Sequence, residues 1–185
     1  MADVRVVPPT THPTGFERRL GADDVIVTKT DLKGHITYAN KVFCEISAMS
    51  EADLLGAPHS IIRHPDMPRG VFRLLWETVQ QGEEIFAYVV NLAADGAHYW
   101  VLAHVTPSFD RRGQLVGYHS NRRQPSPTAI AQVRPLYQRL LAEEARHPRA
   151  VDAARAGADL LRQTLAERGT PYDRFVWDLT IGAAA

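Results

Sequence analysis

Two groups of strand-like segments enclose a series of short helical segments, and this order restricts the possible folds more than any other feature of the sequence. The first group is a hairpin, with β-branched stretches over Val25–Thr28 and His35–Ala39 joined by the turn signal Asp31–Gly34. The second group contains three strands, predicted over Ile85–Leu92, His98–Pro107 and Leu115–Asn121. Antiparallel groups separated by helices suit a single sheet with helices on one face. The sequence therefore predicts an α+β fold with a five-stranded antiparallel sheet.

Helical periodicity predicts the remaining elements. Residues 40–49 and 69–81 read as helices with one apolar face, and Ser50 followed by Asp53 resembles the N-terminal cap of a short helix between them. Beyond the sheet, apolar residues at helical spacing predict one helix up to Glu144 and a second over Arg149–Arg168. The segment 175–177 is too apolar for a free tail, so we expect it to dock on the rest of the chain.

These elements divide the chain into three parts. Residues 1–22 are proline-rich and lack apolar periodicity, which predicts a flexible leader. Residues 23–124 form the central domain, and residues 125–185 form a C-terminal helical extension. The first C-terminal helix carries an apolar stripe that a lone helix would expose, so we expect a partner surface for it and favour a homodimer over docking on its own chain. The stripe consists of Ile130, Val133, Tyr137, Leu140 and Leu141.

Composition excludes several classes of function. The 21 basic and 21 acidic residues cancel, which argues against a general role in nucleic-acid binding. Apolar runs are too short to span a bilayer, so no membrane insertion is expected. Cys44 is the single cysteine, which excludes an intrachain disulfide and suits a reducing compartment. We therefore expect a cytoplasmic protein.

A charged turn is the strongest candidate for a binding site. Arg63, His64 and Asp66 lie within four positions, and Pro65 and Pro68 stiffen the segment around them. Arginine offers a planar pair of donors for a phosphate or a carbonyl, and aspartate can accept from a hydroxyl or a ring nitrogen. The same residues could instead form a structural, ion-paired turn. A ligand-binding sensor is the leading interpretation, ahead of an enzyme, because no nucleophile elbow, phosphate loop or metalloprotease motif is found.

The order of elements and several short motifs resemble a PAS domain, and more narrowly the flavin-binding PAS domain of bacterial aerotaxis receptors, which are redox sensors of chemotaxis. The motifs are Thr30-Asp31-Leu32, Ile36-Thr37-Tyr38-Ala39-Asn40, Gly56-Ala57-Pro58-His59, Arg63-His64-Pro65-Asp66-Met67-Pro68, Trp76, Gly82-Glu83, Asn91, Asp95-Gly96-Ala97-His98-Tyr99-Trp100-Val101 and Gly117-Tyr118. The resemblance covers residues 23–124. It implies that flavin adenine dinucleotide (FAD) binds through Arg63, His64 and Asp66.

The resemblance also suggests further cofactor contacts, each with a purely structural alternative. These candidates are Asn40, His59, Trp76, Phe86, Asn91 and Trp100. Asn40 could be only a helix cap, and each aromatic residue could be only a core residue. Strand alternation implies that one of Tyr99 and Trp100 faces the pocket. The chain departs from the family at Ile85, where aerotaxis receptors carry a tryptophan.

Other cofactors and outputs stay open. Flavin mononucleotide (FMN) would suit the same pocket, and haem b is a further alternative, with His64, His104 or His119 as the axial ligand. His59, His64 and Asp66 match no compact zinc signature. The resemblance implies a non-enzymatic redox or oxygen sensor that signals to a separate protein, a chemoreceptor or a histidine kinase. The rival interpretation is a cofactor-free PAS interaction module.

Overall fold

The computed structural model describes residues 12–182, and within that range five strands form one antiparallel sheet. The strands are β1 (Ile26–Thr30), β2 (Ile36–Ala39), β3 (Ile85–Leu92), β4 (His98–Phe109) and β5 (Leu115–Arg123). Their order across the sheet is β2-β1-β5-β4-β3. The predicted five-stranded antiparallel sheet is confirmed, and β3 has the predicted bounds.

The pairing register defines two faces of this sheet. Ala103 of β4 lies opposite Arg122 of β5, and Ser120 lies opposite Thr28 of β1. Because directly opposed residues point to the same side, these residues share one face, which we call the cavity face. Residues one position along the strands, such as Trp100, point to the opposite face.

The helices between the strands pack on the cavity face. They are α1 (Lys41–Ser47), α2 (Glu51–Leu54), a 3-10 helix (His59–Ile62) and α3 (Arg69–Gln80). The capping box of Ser50 and Asp53 is present, as the sequence predicted. The 3-10 helix was not predicted. Part of the main core lies between these helices and the sheet, with Phe43, Leu54 and Ile26 fully buried.

The C-terminal helices cover the other face and the side of α3. They are α4 (Pro127–Glu144), α5 (Ala150–Glu167) and α6 (Tyr172–Ile181). The Tyr137 hydroxyl donates to the Tyr88 carbonyl oxygen at 2.5 Å, and the Tyr88 hydroxyl lies 2.9 Å from Thr180 Oγ1. The rings of Trp100 and Tyr137 stack with centroids 6.1 Å apart. Residues 87–92 of β3 and 99–101 of β4 are therefore buried on both faces.

The apolar stripe of α4 packs against the rest of its own chain. Val133, Tyr137 and Leu140 of α4 are buried, and their surroundings come from the same chain. The stripe is therefore docked within the chain, which was the alternative to a homodimer, and the homodimer itself stays a prediction. In α6, which was not predicted as a helix, Val176 docks as expected whereas Trp177 is 58% exposed.

The leader expectation fails for the part that the structure describes. Residues 1–11 lie outside the described residues. Beyond them, the backbone N–H of Thr14 donates to the Gly96 carbonyl at 2.9 Å, and that of Arg18 donates to the His98 carbonyl at 2.8 Å. Leu20 is buried in the main core. Residues 14–20 are therefore held against the start of β4 because backbone pairing and apolar burial outweigh the weak periodicity of the segment. Within residues 12–182, no helix is both long enough and apolar enough to cross a bilayer.

Candidate functional site

A cavity of about 330 Å³ lies between the cavity face of the sheet, the 3-10 helix and α3. Ligand pockets commonly have volumes of about 300–1,000 Å³. Apolar walls come from α3, through Phe72, Leu75 and Trp76, and from β3 and β4, through Val89 and Val105. The polar lining residues include Thr28, His59, Ser60, Arg63, Asn91, Ser120 and Arg122. The described lining residues include the cations Lys33, Arg63 and Arg122 and no carboxylate.

Arg122 is the most deeply buried charge in this cavity. Its side chain projects from β5, and its Nη2 donates to Thr28 Oγ1 at 3.0 Å and lies 2.6 Å from His59 Nε2. Burial lowers the pKa of the Arg122 guanidinium to about 10, although the nearby Tyr99 hydroxyl opposes this shift. A guanidinium with that pKa still carries its charge at neutral pH. The cavity therefore contains a buried positive charge whose protein partners are neutral.

His59 complements this arginine as a neutral base. Burial lowers the pKa of His59 well below its ordinary value, and the positive charge of Arg122 lowers it further. Because the guanidinium is a donor only, His59 Nε2 is the acceptor of their contact, and the ring proton belongs on Nδ1. The His59 ring also stacks on Phe43 with centroids 6.0 Å apart. These contacts fix both the tautomer and the orientation of the imidazole.

Arg63 lines the cavity from the turn that follows the 3-10 helix. Its guanidinium carbon lies 4.4 Å from the centroid of the Phe72 ring, and its backbone forms an antiparallel bridge with Asn91 of β3. Burial lowers the pKa of Arg63, as does the charge of Arg69, whereas the Glu144 carboxylate raises it. The turn that carries Arg63 is thus tied to the sheet.

Several buried polar atoms at the cavity have no hydrogen-bond partner within residues 12–182. Among the described lining residues these are Arg63 Nε, Asn91 Nδ2, Ser120 Oγ and Arg122 Nη1. Buried polar groups are nearly always paired, because an unpaired one costs about 1–3 kcal/mol. Three of the four atoms are donors only, so the cavity is suited to a ligand that presents several acceptors. Its apolar walls and two guanidinium groups favour a flat, electron-rich molecule.

Four of the nine residues predicted from the sequence line this cavity. They are His59, Arg63, Trp76 and Asn91. The structure brings them together although they come from the 3-10 helix, the turn, α3 and β3. Their contact with a cofactor stays a prediction.

His64 and Asp66 do not line the cavity, although they neighbour Arg63 in sequence. His64 is buried against His98, with ring centroids 5.7 Å apart, and its Nδ1 accepts from the Asp66 backbone N–H at 3.1 Å. Burial lowers the pKa of His64, and the Asp66 carboxylate opposes the shift. The Asp66 side chain is 79% exposed. Consecutive residues in the turn project in different directions, so the three side chains do not line one cavity. Contact of His64 and Asp66 with a cofactor stays a prediction.

Asn40 is fully used as a helix cap. Its Oδ1 accepts from the backbone N–H groups of Val27 at 3.0 Å and Phe43 at 3.1 Å, and its Nδ2 donates to the Val25 carbonyl at 2.8 Å. The structural alternative for Asn40 therefore describes it, and its predicted place beside the cavity is wrong.

Phe86 and Trp100 lie on the opposite face of the sheet. Phe86 is 40% exposed and stacks on His104 with centroids 4.1 Å apart, and Trp100 lies beneath α4. Their predicted place in the pocket is wrong. Of the two aromatic neighbours, Tyr99 points to the cavity face, where it is fully buried, but it does not line the cavity. Ile85 is buried in a side cluster with Leu75, Val79 and Tyr118.

The histidines considered for haem lie away from the cavity. His104 contacts Glu84 at 2.7 Å, and His119 contacts Asn121 at 3.2 Å, both on the opposite face. His59 is the histidine among the described lining residues, and its Nε2 faces Arg122. No group of three metal-ligating side chains is found within residues 12–182.

Sequence reasoning missed Arg122, Ser120 and Thr28. The spacing of Tyr118, Ser120 and Arg122 in β5 places all three on one face, and this alternation was the available signal. Without the pairing register, nothing in the sequence connects that face with the distant charged turn.

Comparison with known proteins shows what the chain is similar to. Residues 36–122 match the family model described as the PAS fold. The aerotaxis receptor of Escherichia coli (strain K12) is 39% identical over 132 residues, which cover 70% of this chain and 26% of the receptor. The nitrogen fixation regulatory protein of Klebsiella pneumoniae is 30% identical over 115 residues, covering 62% of this chain and 23% of that protein. The chain thus spans about a quarter of the length of these curated relatives.

A solved structure shows the same fold. The light-state structure of the blue-light photoreceptor Aureochrome1 LOV superposes with a TM-score of 0.51 at 21% identity, covering 64% of this chain and 92% of that one. This similarity extends the agreement from the sequence profile to the arrangement of the sheet and its helices.

Proposed function

Because residues 36–122 of this chain form a PAS domain similar to a segment of the aerotaxis receptor, we propose that the chain is a sensor that binds FAD in the cavity and reports its redox state to a separate protein. The observation that carries this proposal is the set of unpaired buried donors in a cavity whose described lining residues include two guanidinium groups and no carboxylate. Oxygen or cellular redox state would be the signal, as the name of the aerotaxis receptor suggests.

The lining residues fit the ring system of a flavin. Its carbonyl oxygens and ring nitrogens are acceptors, which suit Arg63 Nε, Asn91 Nδ2 and Arg122 Nη1. Phe72 and Trp76 provide flat apolar walls. When bound, a flavin would accept and return electrons reversibly. The charges of Arg63 and Arg122 would favour the electron-rich form, and His59 would keep the Arg122 guanidinium in place.

The finer parts of the proposal concern cofactor identity and output. FAD is favoured over FMN through the resemblance to aerotaxis receptors, and haem b is disfavoured because His59, the lining histidine, already accepts from Arg122. We propose a cytoplasmic, non-enzymatic role, with a chemoreceptor or a histidine kinase as the partner. A homodimer is retained only through a surface other than the buried stripe of α4.

The test is the cofactor content of the purified full chain. We expect a yellow protein with flavin absorbance bands and about one flavin per chain, and release by heat followed by chromatography identifies FAD or FMN. A Soret band would show haem instead. A colourless chain that takes up no flavin when it is refolded with FAD would contradict the proposal and favour the cofactor-free interaction module.

A further inference from the structure

The first turn of α3 is capped by a side chain from a helix that follows it by about seventy residues. Helix α3 begins after Pro68, which provides no side-chain cap. The Glu144 carboxylate at the end of α4 accepts from the backbone N–H groups of Arg69 at 2.9 Å and Gly70 at 2.8 Å. Glu144 is 6% exposed, so this is a buried carboxylate at the positive end of a helix. The C-terminal extension thereby completes an element of the PAS domain.

Two glycines allow this contact. A Cβ atom on Gly70 would lie 2.4 Å from the backbone of Gly157 and Ala158, and a Cβ atom on Gly157 would lie 2.2 Å from Glu144 Oε1. The backbones of α3 and α5 therefore touch at the same point where Glu144 binds. Three helices meet there, and we call this point, formed by Gly70, Glu144 and Gly157, the α3 junction.

The α3 junction lies next to the cavity along the chain. Arg63 precedes Gly70 by seven residues, and Phe72 follows Gly70 by two. Both residues line the cavity and contact each other, since the Arg63 guanidinium lies over the Phe72 ring. The carboxylate of Glu144 and the guanidinium of Arg63 also attract each other. A ligand that binds Arg63 or displaces Phe72 therefore also acts on the turn before α3 and on the N-terminal end of α3, which Glu144 caps.

We propose that Glu144 is a positioning residue that couples the docking of α4 and α5 to the ligand and charge state of the cavity. This inference rests on the proposed function and assigns the C-terminal helices as the element that carries the response. Coupling between two sites is reciprocal, so if cavity occupancy changes the docking of the helices, then Glu144 must change the affinity of the cavity for its ligand.

Two matched variants test the reciprocal effect. Glu144→Gln keeps the size of the side chain but replaces one acceptor oxygen by an NH2 group that faces a backbone donor. Glu143→Gln makes the same chemical change at the neighbouring residue, which contacts Arg146 and His147 rather than α3. FAD affinity of the full chain is measured by titration of the stripped protein. We expect Glu144→Gln to bind FAD about fivefold more weakly or worse, the lower end of typical coupling, and Glu143→Gln to match wild type within about twofold.

A lower melting temperature with unchanged FAD affinity in Glu144→Gln would overturn the proposal, since a merely structural cap gives that result. If Glu144→Gln does not fold, Gly157→Ala displaces the same carboxylate from the α5 side, and its FAD affinity is judged by the same criterion.

A further measurement needs no variant. Hydrogen exchange of the wild-type chain is compared between oxidised and dithionite-reduced FAD-loaded protein.

In that comparison we expect the backbone amides of Arg69 and Gly70 and those of α5 to exchange at different rates in the two redox states. Equal rates would overturn the proposal even if both variants fail to fold. A wild-type chain that binds no FAD contradicts the proposed function itself, and its flavin content shows this before any variant is compared. In that case the proposed coupling between Glu144 and the cavity is contradicted as well. Melting temperatures still show whether Glu144 stabilises the packing of the helices.

Discussion

Both faces of the sheet are buried over residues 87–92 of β3 and 99–101 of β4, but the buried polar groups on the two faces differ in whether they are paired. Under α4 and α6, the Tyr137 hydroxyl donates to a backbone carbonyl and the Tyr88 hydroxyl meets Thr180. On the cavity face, the buried side chains of Asn91, Ser120 and Arg122 keep atoms without a protein partner. A buried polar group without a hydrogen-bond partner reduces stability. The unpaired atoms on the cavity face are therefore expected to find their partners in a bound ligand.

This contrast separates residues that hold the molecule together from residues that receive a ligand. The contrast predicts that substitutions on the opposite face, under α4 and α6, reduce stability and leave flavin content unchanged. On the cavity face, substitutions should instead reduce flavin content and change stability little.

The largest effect is expected for Arg122→Met. Losing a charge-assisted hydrogen bond to the ligand costs about 1.5–3 kcal/mol, which corresponds to about a 10- to 100-fold loss of FAD affinity. The measurement is the flavin-to-protein ratio after purification, followed by titration with FAD. Arg123→Met is the matched control, because Arg123 is the next residue of β5 and is exposed on the other side of the strand. Equal flavin content in the two variants would remove Arg122 from the site.

The second test concerns the opposite face, under α4 and α6. Tyr137→Phe removes the donor to the Tyr88 carbonyl and leaves that oxygen buried without a partner, so the free energy of unfolding should fall by about 1–3 kcal/mol. Flavin content should stay at the wild-type level. Urea denaturation measures the first quantity and absorbance the second. Tyr38→Phe serves as the control, since Tyr38 is 44% exposed. A loss of flavin in Tyr137→Phe at unchanged stability would reverse the assignment of the faces.

A pH dependence should belong to the cavity face. Folding lowers the pKa of His59 through burial and the charge of Arg122, so below about pH 6.5 the unfolded chain binds a proton that the folded chain does not. The unfolded state then binds more protons, and the free energy of unfolding falls as the pH drops, by at most about 1.4 kcal/mol per pH unit for one group. His59→Gln should reduce this slope between pH 6.5 and 5.5.

Urea denaturation at several pH values measures the slope, and His104→Gln controls for removing an imidazole from the opposite face. An unchanged slope in His59→Gln would mean that other groups, such as the buried His64, account for the whole dependence.

The smallest effect is expected for Ser120→Ala. The Ser120 hydroxyl has no protein partner, so its removal should leave the free energy of unfolding of the flavin-free chain unchanged or raise it by less than about 1 kcal/mol. FAD affinity should fall by less than in Arg122→Met. A destabilisation above about 1 kcal/mol in the flavin-free chain would show that this hydroxyl serves the fold.

The same contrast explains which parts of the structure the sequence could predict. Strand β3 was predicted with its exact bounds because Gly82 and the Asp95-Gly96 turn delimit it. Which residues of β3 face the cavity could not be read, because α4 and α6 bury its second face and remove the alternation that normally marks an outer side. Phe86 was placed on the wrong face because it is as apolar as the buried residues around it, although it is 40% exposed.

The site was predictable only where its residues lie close together in the sequence or match a family motif. Arg63 and Asn91 were found in this way. Arg122 was missed because its role depends on strand pairing with β1 and on contact with His59, which lies 63 residues away. His64 and Asp66 were misplaced because residue spacing in a turn does not fix the direction of the side chains.

The glycine contact between α3 and α5 also limits how these helices can move. Sliding α5 by one turn along α3 would place Ala153 or Leu161 against Gly70, where the backbones leave no room for a side chain. A one-turn ratchet, one of the common helix motions in allosteric proteins, is thus blocked. Separation of the two helices is not blocked by this contact. Each molecule would then hold its extension either docked or undocked, and the ligand would change the fraction of undocked molecules.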